Sequence, residues 1–350
     1  VRVPYGAPGS AAEAAGVRGG DRLATADGVD VAEGPDTATL NEVLAPTVVG
    51  RQHALGFRRT NDSSYTVALV AARIQMPAVM NVKTFHTPTG RVGYMQFNMH
   101  SQAAEPQVIA AVDRLKAAGI RDLVLDLRYN RGGLLSVAGE VATMIGPASN
   151  VGKVFERLNF NRKNPFALSA EEATFRFGSF AVGYPLPPSG FLPQLDLPRV
   201  TVLSGPDTCS ASEAIINGLR GVDVEVNLVG GRTCGKPHGY IPEDNCGTTY
   251  FAVQFETANA KGTAAYTDGF APTCAVADDF TRELGDPAEA RLSAALHLRR
   301  TGACPVASVA VNKSASAGAA RAAIARLGAD KLLMYTDKLP ANRKGEVVSE

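Results

Sequence analysis

The chain lacks several features that would point to a function at once. It has no charge excess: 35 Lys and Arg against 34 Asp and Glu leave a formal net charge of +1. Electrostatic binding of nucleic acid or of an anionic membrane surface needs a basic surplus, so neither partner is indicated. No apolar run approaches the ~20 residues that span a bilayer. None of the five cysteines (Cys209, Cys234, Cys246, Cys274, Cys304) forms a CxxC pair, and no histidine stands at zinc-finger spacing. Neither a metal nor another cofactor is therefore expected. No segment repeats. The chain begins at Val1 rather than Met, which implies a segment processed away or left out, and a signal peptide is neither seen nor excluded.

What is present suits a folded chain of two domains. The 350 residues are 45% hydrophobic and 20% charged, enough for a sizeable core at the usual ~100–200 residues per domain. All five cysteines lie in the C-terminal half, which fits an exported protein with one or two disulfides. "PTC" and "GACP" bracket a helical stretch, Glu289 to Arg299, so Cys274 and Cys304 are expected to pair. A Cys234–Cys246 bridge would close the loop after Lys236 and leave Cys209 as a buried free thiol.

Residues 1–74 read as one unit. An Ala-rich helix (Ala11 to Ala15) ends at Gly16, and a strand over Arg22 to Ala26 is closed by the Asp27-Gly28 hairpin signal. "TATLNEVLAP" reads as a helix, and two further strands flank the turn Asn61-Asp62. The phrase "PGSAAEAAGVRGGDRL" resembles a PDZ domain in its bacterial, circularly permuted form. Such domains bind an extended peptide C-terminus by strand addition. The carboxylate-binding loop would lie near or before Val1, so the N-terminal strand can be incomplete.

From Gly90 the pattern alternates between strand and helix. "GRVGYMQFNM" is a strand, "AEPQVIAAVDRLKAAG" an amphipathic helix, "RDLVLDLRYN" a strand buried on both faces, and "GGLLSVAGEVATMIG" a helix. This is an α/β signature. Residues 151–198 are rich in Phe, Pro and Asn and read as an irregular insertion rather than core. The pattern resumes at Arg199, with "VNLVGG" and "TTYFAVQFETAN" as later strands, so the second segment runs over 75–305. Residues 306–350 carry a helix (Ala319 to Leu327) and a polar tail.

The chemistry concentrates in three places. In "TVLSGPDTCSASEAIINGLRG" a strand hands over to a helix at Ser210, Ala211, Ser212 and Glu213. Serine there either caps the helix or is a nucleophile, held where N–H groups stabilise an oxyanion. "LDLRYNRGG" ends a buried strand in Gly132-Gly133, a plain tight turn or a close backbone approach to a ligand. In "GGRTCGKPHG", Lys236 is enclosed by small residues, and burial can turn a lysine into a base.

Together these elements resemble the C-terminal processing peptidases, also called tail-specific proteases. Ser210-Ala211-Ser212-Glu213 fits the family's nucleophile run, Lys236 its base, and Asp126-Leu127-Arg128-Tyr129-Asn130-Arg131-Gly132-Gly133 its strand motif. Thr233 matches a further family position. The resemblance covers roughly residues 1 to 305 in the right order. It implies a crotonase- or Clp-protease-like spiral core of ββα units behind a permuted PDZ domain, in a bacterial periplasm or cell envelope. It also implies protein substrates with exposed apolar C-termini, cleaved near those ends by a Ser-Lys dyad. Oxyanion donors would be the N–H groups of Ala211 and of Gly132 or Gly133. Glu213 would hold the lysine or cap the helix, and Thr233 would orient Lys236 or pack. Where several members carry Gln, four residues past the lysine, this chain has Tyr240. Ser212 is the rival nucleophile. Of His53, His86, His100, His238 and His297, only His238 lies near these motifs in sequence. Two other classes stand beside the peptidase: a catalytically silent PDZ-containing scaffold and a crotonase-type acyl-CoA enzyme. The intact Ser210 and Lys236 disfavour the first, and the serine–lysine pair with the PDZ-like unit disfavours the second.

Overall fold

The structure, a computed structural model, describes residues 1–163, 166–184, 190–264 and 266–305 and the short strand 334–335. The helix expected over Ala319 to Leu327 lies outside the described residues. The described chain forms two compact units, Val1–Pro77 with Asp278–Glu289, and Ala78–Ala277 with the described residues from Ala290 on.

The first unit holds α1 (Ala11–Ala14), β1 (Arg22–Ala26), β2 (Val29–Asp30), α2 (Thr37–Leu44), β3 (Gln52–Arg58) and β4 (Ser64–Val70). Its strands form one antiparallel sheet in the order β2-β1-β3-β4. Ser10 caps α1 by accepting from the Glu13 N–H (3.1 Å), and Asp36 caps α2 by accepting from Thr39 (3.0 Å). Asp27 and Gly28 both take positive φ, 47° and 82°, in the β1–β2 hairpin, the backbone that a two-residue type I′ turn requires. Residues 278–289 read as part of the second segment in sequence, yet they fold with this unit. Phe280 fills the space beside Gly20, where a Cβ would meet it at 2.8 Å, and the Arg2 guanidinium lies 4.7 Å from its ring centroid.

The second unit begins with β5 (Val79–Thr87), β6 (Gly90–Phe97), α3 (Ala104–Ala117), β7 (Asp122–Asp126) and α4 (Leu135–Ile145). It continues through β8 (Val154–Phe160), β9 (Thr174–Arg176), β10 (Arg199–Ser204), α5 (Ala211–Gly221) and β11 (Glu225–Gly230). Then come β12 (His238–Tyr240), β13 (Glu243–Asn245), β14 (Thr248–Tyr250), β15 (Phe255–Ala258), β16 (Cys274–Ala275), α6 (Ala290–Thr301) and β17 (Met334–Tyr335).

Six strands form the main sheet in the order β16-β11-β10-β7-β6-β5, parallel except for the β5–β6 pair. Alternate side chains enter two buried layers, as the two-residue period of a strand dictates. Leu123, Leu125, Val200, Val202, Val226 and Leu228 belong to the larger core with α3, α4 and α5, whereas Val124, Leu203 and Val229 pack with Leu292, Ala295 and Leu298 of α6. Burial on both faces explains why "DLVLD" reads as an unbroken apolar run. The unit is thus a mixed α/β fold.

Residues 151–198 depart from expectation. They supply β8 and β9 to a second sheet, ordered β17-β12-β15-β8-β9. Phe155, Leu158, Phe177, Tyr184, Leu192 and Leu197 are all buried in the larger core. Their apolar residues follow no single period because short strands and irregular segments take turns covering one core. "TTYFAVQFETAN" also divides. β14 pairs with β13 across Cys246-Gly247, both at positive φ (47° and 75°), while β15 pairs with β8 and β12.

α5 crosses β8 at Gly218, where a Cβ would come within 2.4 Å of the Phe155 ring. Alanine normally stabilises a helix interior by about 1 kcal/mol over glycine. Overpacking reverses that sign here. Gly218→Ala is expected to lower stability by about 1–3 kcal/mol, read as a lower urea midpoint; a higher midpoint would contradict the packing of β8 in the core.

Candidate active site

β7 and β10 are parallel neighbours with Leu203 opposite Asp126, so the loops leaving their C-terminal ends meet. Ligands in open α/β sheets gather at such ends. The loop after β7 is built from within. Asp126 and Arg128 form a fully buried ion pair (Nε–Oδ1 3.0 Å), and the Tyr94 hydroxyl donates to Asp126 Oδ2 at 2.7 Å. Asn130 is buried and donates to the Phe97 carbonyl (2.9 Å), while its Oδ1 accepts from the Gly132 N–H (2.9 Å) and faces His100 Nδ1 (3.1 Å). The Asn130 carbonyl accepts from the Ser212 hydroxyl (2.9 Å) and the Cys209 N–H (3.2 Å). One asparagine therefore locks this loop to the start of α5. At the rim, Arg131 reaches Asp207 at 2.8 Å.

Ser210 occupies the N-cap of α5 with φ 60° and ψ −118°. Positive φ at a residue other than glycine costs on the order of 1–3 kcal/mol and persists only where the surroundings enforce it. Its N–H donates to Glu213 Oε2 at 3.0 Å, one half of a capping box. The reverse contact, Oγ toward the Glu213 N–H, has the arrangement without bonded geometry, and among the described residues the buried Ser210 Oγ has no hydrogen-bond partner. The Ser212 hydroxyl, in contrast, is committed to Asn130.

Glu213 is fully buried at the third position of α5. Its Oε1 accepts from the Thr233 hydroxyl (2.6 Å) and the Gly235 N–H (2.8 Å), and its Oε2 from the N–H groups of Ser210 and Lys236 (2.8 Å). The backbones of Ser210 and Lys236 thus meet at a single oxygen atom. Burial pushes this carboxyl above its usual range, while the donors pull it back, the Thr233 hydroxyl first. Thr233 spends its hydroxyl proton on Glu213 and accepts from the Phe270 N–H at 2.7 Å. It fixes the backbone that carries Lys236 through that carboxylate, rather than by donating to the lysine.

Gly132 and Gly133 take φ 96° and 137°. A Cβ on Gly132 would meet Ser210 Cβ at 2.8 Å and the Ala211 nitrogen at 2.9 Å, and one on Gly133 would meet the His100 carbonyl at 2.3 Å. Glycine is required because the backbone passes directly against the serine. The Gly132 N–H is taken by Asn130. Among the described residues, the N–H groups of Ala211, next to Ser210, and of Gly133, next to Gly132, donate to no acceptor.

The structure brings together Ser210, Ala211, Glu213, Thr233, the Lys236 backbone and the glycine pair. Tyr240, four residues past Lys236, is buried on β12 and packs edge-on against Phe251 at 5.1 Å. Two sequence expectations are corrected. Cys209 pairs with Cys234 and Cys246 is an exposed free thiol, so the expected Cys234–Cys246 bridge and free Cys209 are replaced; Cys274 pairs with Cys304 as expected. The loop after β11 folds back over the start of α5, a proximity of residues 25 apart that no local pattern encodes. The histidine beside the motifs is His100 rather than His238, which is half-exposed near Glu256. Asn130, placed in the strand motif by the sequence but given no role there, is what ties that motif to the start of α5. Cys209, Glu213 and Cys234 present ligand-type atoms within 4.8 Å of one another. Both sulfurs are spent on the disulfide and both carboxylate oxygens on N–H and O–H donors, so no metal-ligand set remains there.

With this geometry in place, comparison assigns the class. The chain belongs to peptidase family S41, whose profile matches residues 91–272, a stretch that contains every site residue above. It is 29% identical to a carboxyl-terminal-processing protease of Picosynechococcus over 269 residues, 71% of this chain and 55% of that protein. It is 26% identical to the Synechocystis protease of the same name, over 71% of this chain and 53% of that one. The chain therefore spans about half the length of these relatives. The crystal structure of a candidate S41 protease from Bacteroides fragilis superposes with a TM-score of 0.65 at 24% identity, covering 86% of this chain and 78% of that one. It has the same fold.

His100 carries a pH consequence. Its ring is buried, Nδ1 donates to the Asn130 side-chain oxygen Oδ1, and burial holds its pKa down at about 3, against the ordinary 6.5. The unfolded chain takes up this proton near pH 6.5 and the folded chain does not until about pH 3. The stability contribution is therefore whole above pH 6.5 and lost as pH falls toward 3, by on the order of 4 kcal/mol. His100→Asn retains a donor for Asn130 and removes the titration. Urea unfolding from pH 7 to 4 should fall less steeply for the variant; parallel slopes would contradict the burial of a neutral imidazole.

Proposed function

We propose that this chain is a serine endopeptidase that cleaves protein substrates near their C-termini, with Ser210 as nucleophile and Lys236 as general base. The observation that carries the reading is the buried Ser210 hydroxyl, without a partner among the described residues, at a strained helix start on a backbone that shares Glu213 Oε2 with the backbone of Lys236. A serine hydroxyl is too weak an acid to attack a peptide carbonyl unaided. A neutral Lys236 amine removes its proton as Oγ bonds to the carbonyl carbon. The carbonyl oxygen becomes an oxyanion held by the N–H groups of Ala211 and Gly133, a contribution of ~10²–10³ in rate per donor in comparable sites. The lysine then passes its proton to the leaving amine. Water repeats the cycle on the acyl-enzyme. Glu213 and Thr233 set the two backbones, and Tyr240 packs on Phe251.

The first unit is read as a permuted PDZ domain that takes an apolar substrate tail as an added strand at its sheet. The second is read as the crotonase-like spiral core. Two disulfides support an oxidising compartment such as the periplasm or cell envelope. No helix among the described residues is long and apolar enough to cross a membrane.

The test is digestion of an unstructured protein ending in apolar residues, with fragments read by mass spectrometry. Ser210→Ala and Lys236→Ala should each lower turnover at least ~10³-fold, non-additively and with the fold retained. Ser212→Ala should keep most activity. Lys236→Arg should match Lys236→Ala, because arginine does not release its proton, and wild-type activity should rise with pH through one ionisation. Loss of activity in Ser212→Ala but not in Ser210→Ala would reassign the nucleophile. Near-normal turnover by Lys236→Arg would make this residue a structural cation.

A further inference from the structure

The residue ahead of Ser210 and the residue two before Lys236 are covalently joined. Cys209 and Cys234 form a disulfide with their Cα atoms 5.2 Å apart. The two ends differ in how firmly they are otherwise held. Cys209 lies in the turn between β10 and α5, its N–H bonded to Asn130. Cys234 lies in the 231–237 loop between β11 and β12, which has no regular secondary structure and turns through Gly235 at φ 84°. That loop reaches the serine turn through the Cys234 N–H to the Thr208 carbonyl (3.1 Å) and through the three donors from Thr233, Gly235 and Lys236 to Glu213. Among the described residues, the disulfide is the one covalent link between the two segments apart from the main chain itself. Both of its cysteines are half-buried rather than sealed in the core. The second bridge, Cys274–Cys304, ties edge strand β16 to the segment after α6 and touches neither loop.

Resting on the reading of Ser210 and Lys236 as a dyad, we propose that the Cys209–Cys234 disulfide is a positioning element that holds the lysine loop against the serine, so that the oxidised chain turns over and reduction by a dithiol slows it. In that step one thiolate of the dithiol attacks a sulfur of the bridge and forms a mixed disulfide. Its second thiol then displaces the mixed disulfide, leaving two protein thiols and an oxidised, cyclic dithiol. Two electrons and two protons pass from the dithiol to Cys209 and Cys234. Proton transfer between hydroxyl and amine needs near hydrogen-bond distance, and a misplacement of about 1 Å in such an arrangement costs on the order of 10²-fold in rate. The sheets that would bind substrate are untouched, so the loss falls on kcat rather than KM.

The experiment titrates the full chain with dithiothreitol, mapping each bridge by alkylation and mass spectrometry while kcat and KM are measured on a peptide substrate. The fold is followed by circular dichroism. We expect kcat to fall about tenfold or more in step with reduction of Cys209–Cys234, with KM within about twofold, the fold retained, and recovery on reoxidation. A Cys274→Ser/Cys304→Ser chain should respond in the same way. A Cys209→Ser/Cys234→Ser chain should start with the low kcat and ignore the reductant; if it fails to fold, the wild-type titration alone decides. Undiminished kcat in a folded chain whose Cys209–Cys234 bridge is reduced overturns the clamp and leaves the peptidase reading standing, as does a rise in kcat on reduction. An oxidised chain without cleavage that depends on Ser210 overturns the peptidase reading and the clamp together.

Discussion

One buried carboxylate organises the site. Glu213 has no exposure to water, and its two oxygens receive hydrogen bonds from Ser210, Thr233, Gly235 and Lys236. A carboxylate in that position is costly unless its lone pairs are satisfied. The donors come from two segments separated by β11, so the requirement of one side chain forces the helix start and the lysine loop into register. Its place in the first turn of α5 adds the favourable end of the helix dipole. The positive φ of Ser210 becomes tenable for the same reason, since its N–H is held by Glu213 and the flanking Cys209 N–H by Asn130.

The scaffold explains why these contacts occur at one place. β7 and β10 run parallel side by side, and both are sealed on two faces, by α3, α4 and α5 on one side and α6 on the other. Their C-terminal loops are consequently fixed at both ends by a packed core. Gly132 then brings its backbone to the Ala211 nitrogen with no room for a side chain. Among the described residues, the N–H groups of Ala211 and Gly133 have no acceptor and the Ser210 hydroxyl no partner.

Much of this was legible in the sequence wherever the signal was local. β6, α3, β7 and α4 follow from apolar periodicity, and the Asp27-Gly28 and Asn61-Asp62 turns from their residue types. The serine run, the glycine pair and Lys236 stand at recognisable spacings within their motifs. What escaped depends on tertiary proximity. His100 meets Asn130 and Gly133 only because β6 and β7 are adjacent in the sheet, and Cys209 meets Cys234 only because the loop after β11 returns to α5. Residues 151–198 look irregular because Phe155 and Leu158 sit on a strand while Tyr184 and Leu192 reach the same core from segments outside the helices and strands. Thr233 was visible as a residue but not as a donor to Glu213, since side-chain partners across 20 positions leave no periodic trace.

The most direct test of the account is the structure of the chain with a peptide boronic acid, which forms a tetrahedral adduct on an activated hydroxyl. The account predicts boron bonded to the Ser210 Oγ, one boronate oxygen against the N–H groups of Ala211 and Gly133, and the Lys236 amine within hydrogen-bond distance of the Ser210 Oγ. An adduct on Ser212, or a Ser210 adduct whose oxygen lies away from Ala211 and Gly133, would contradict it.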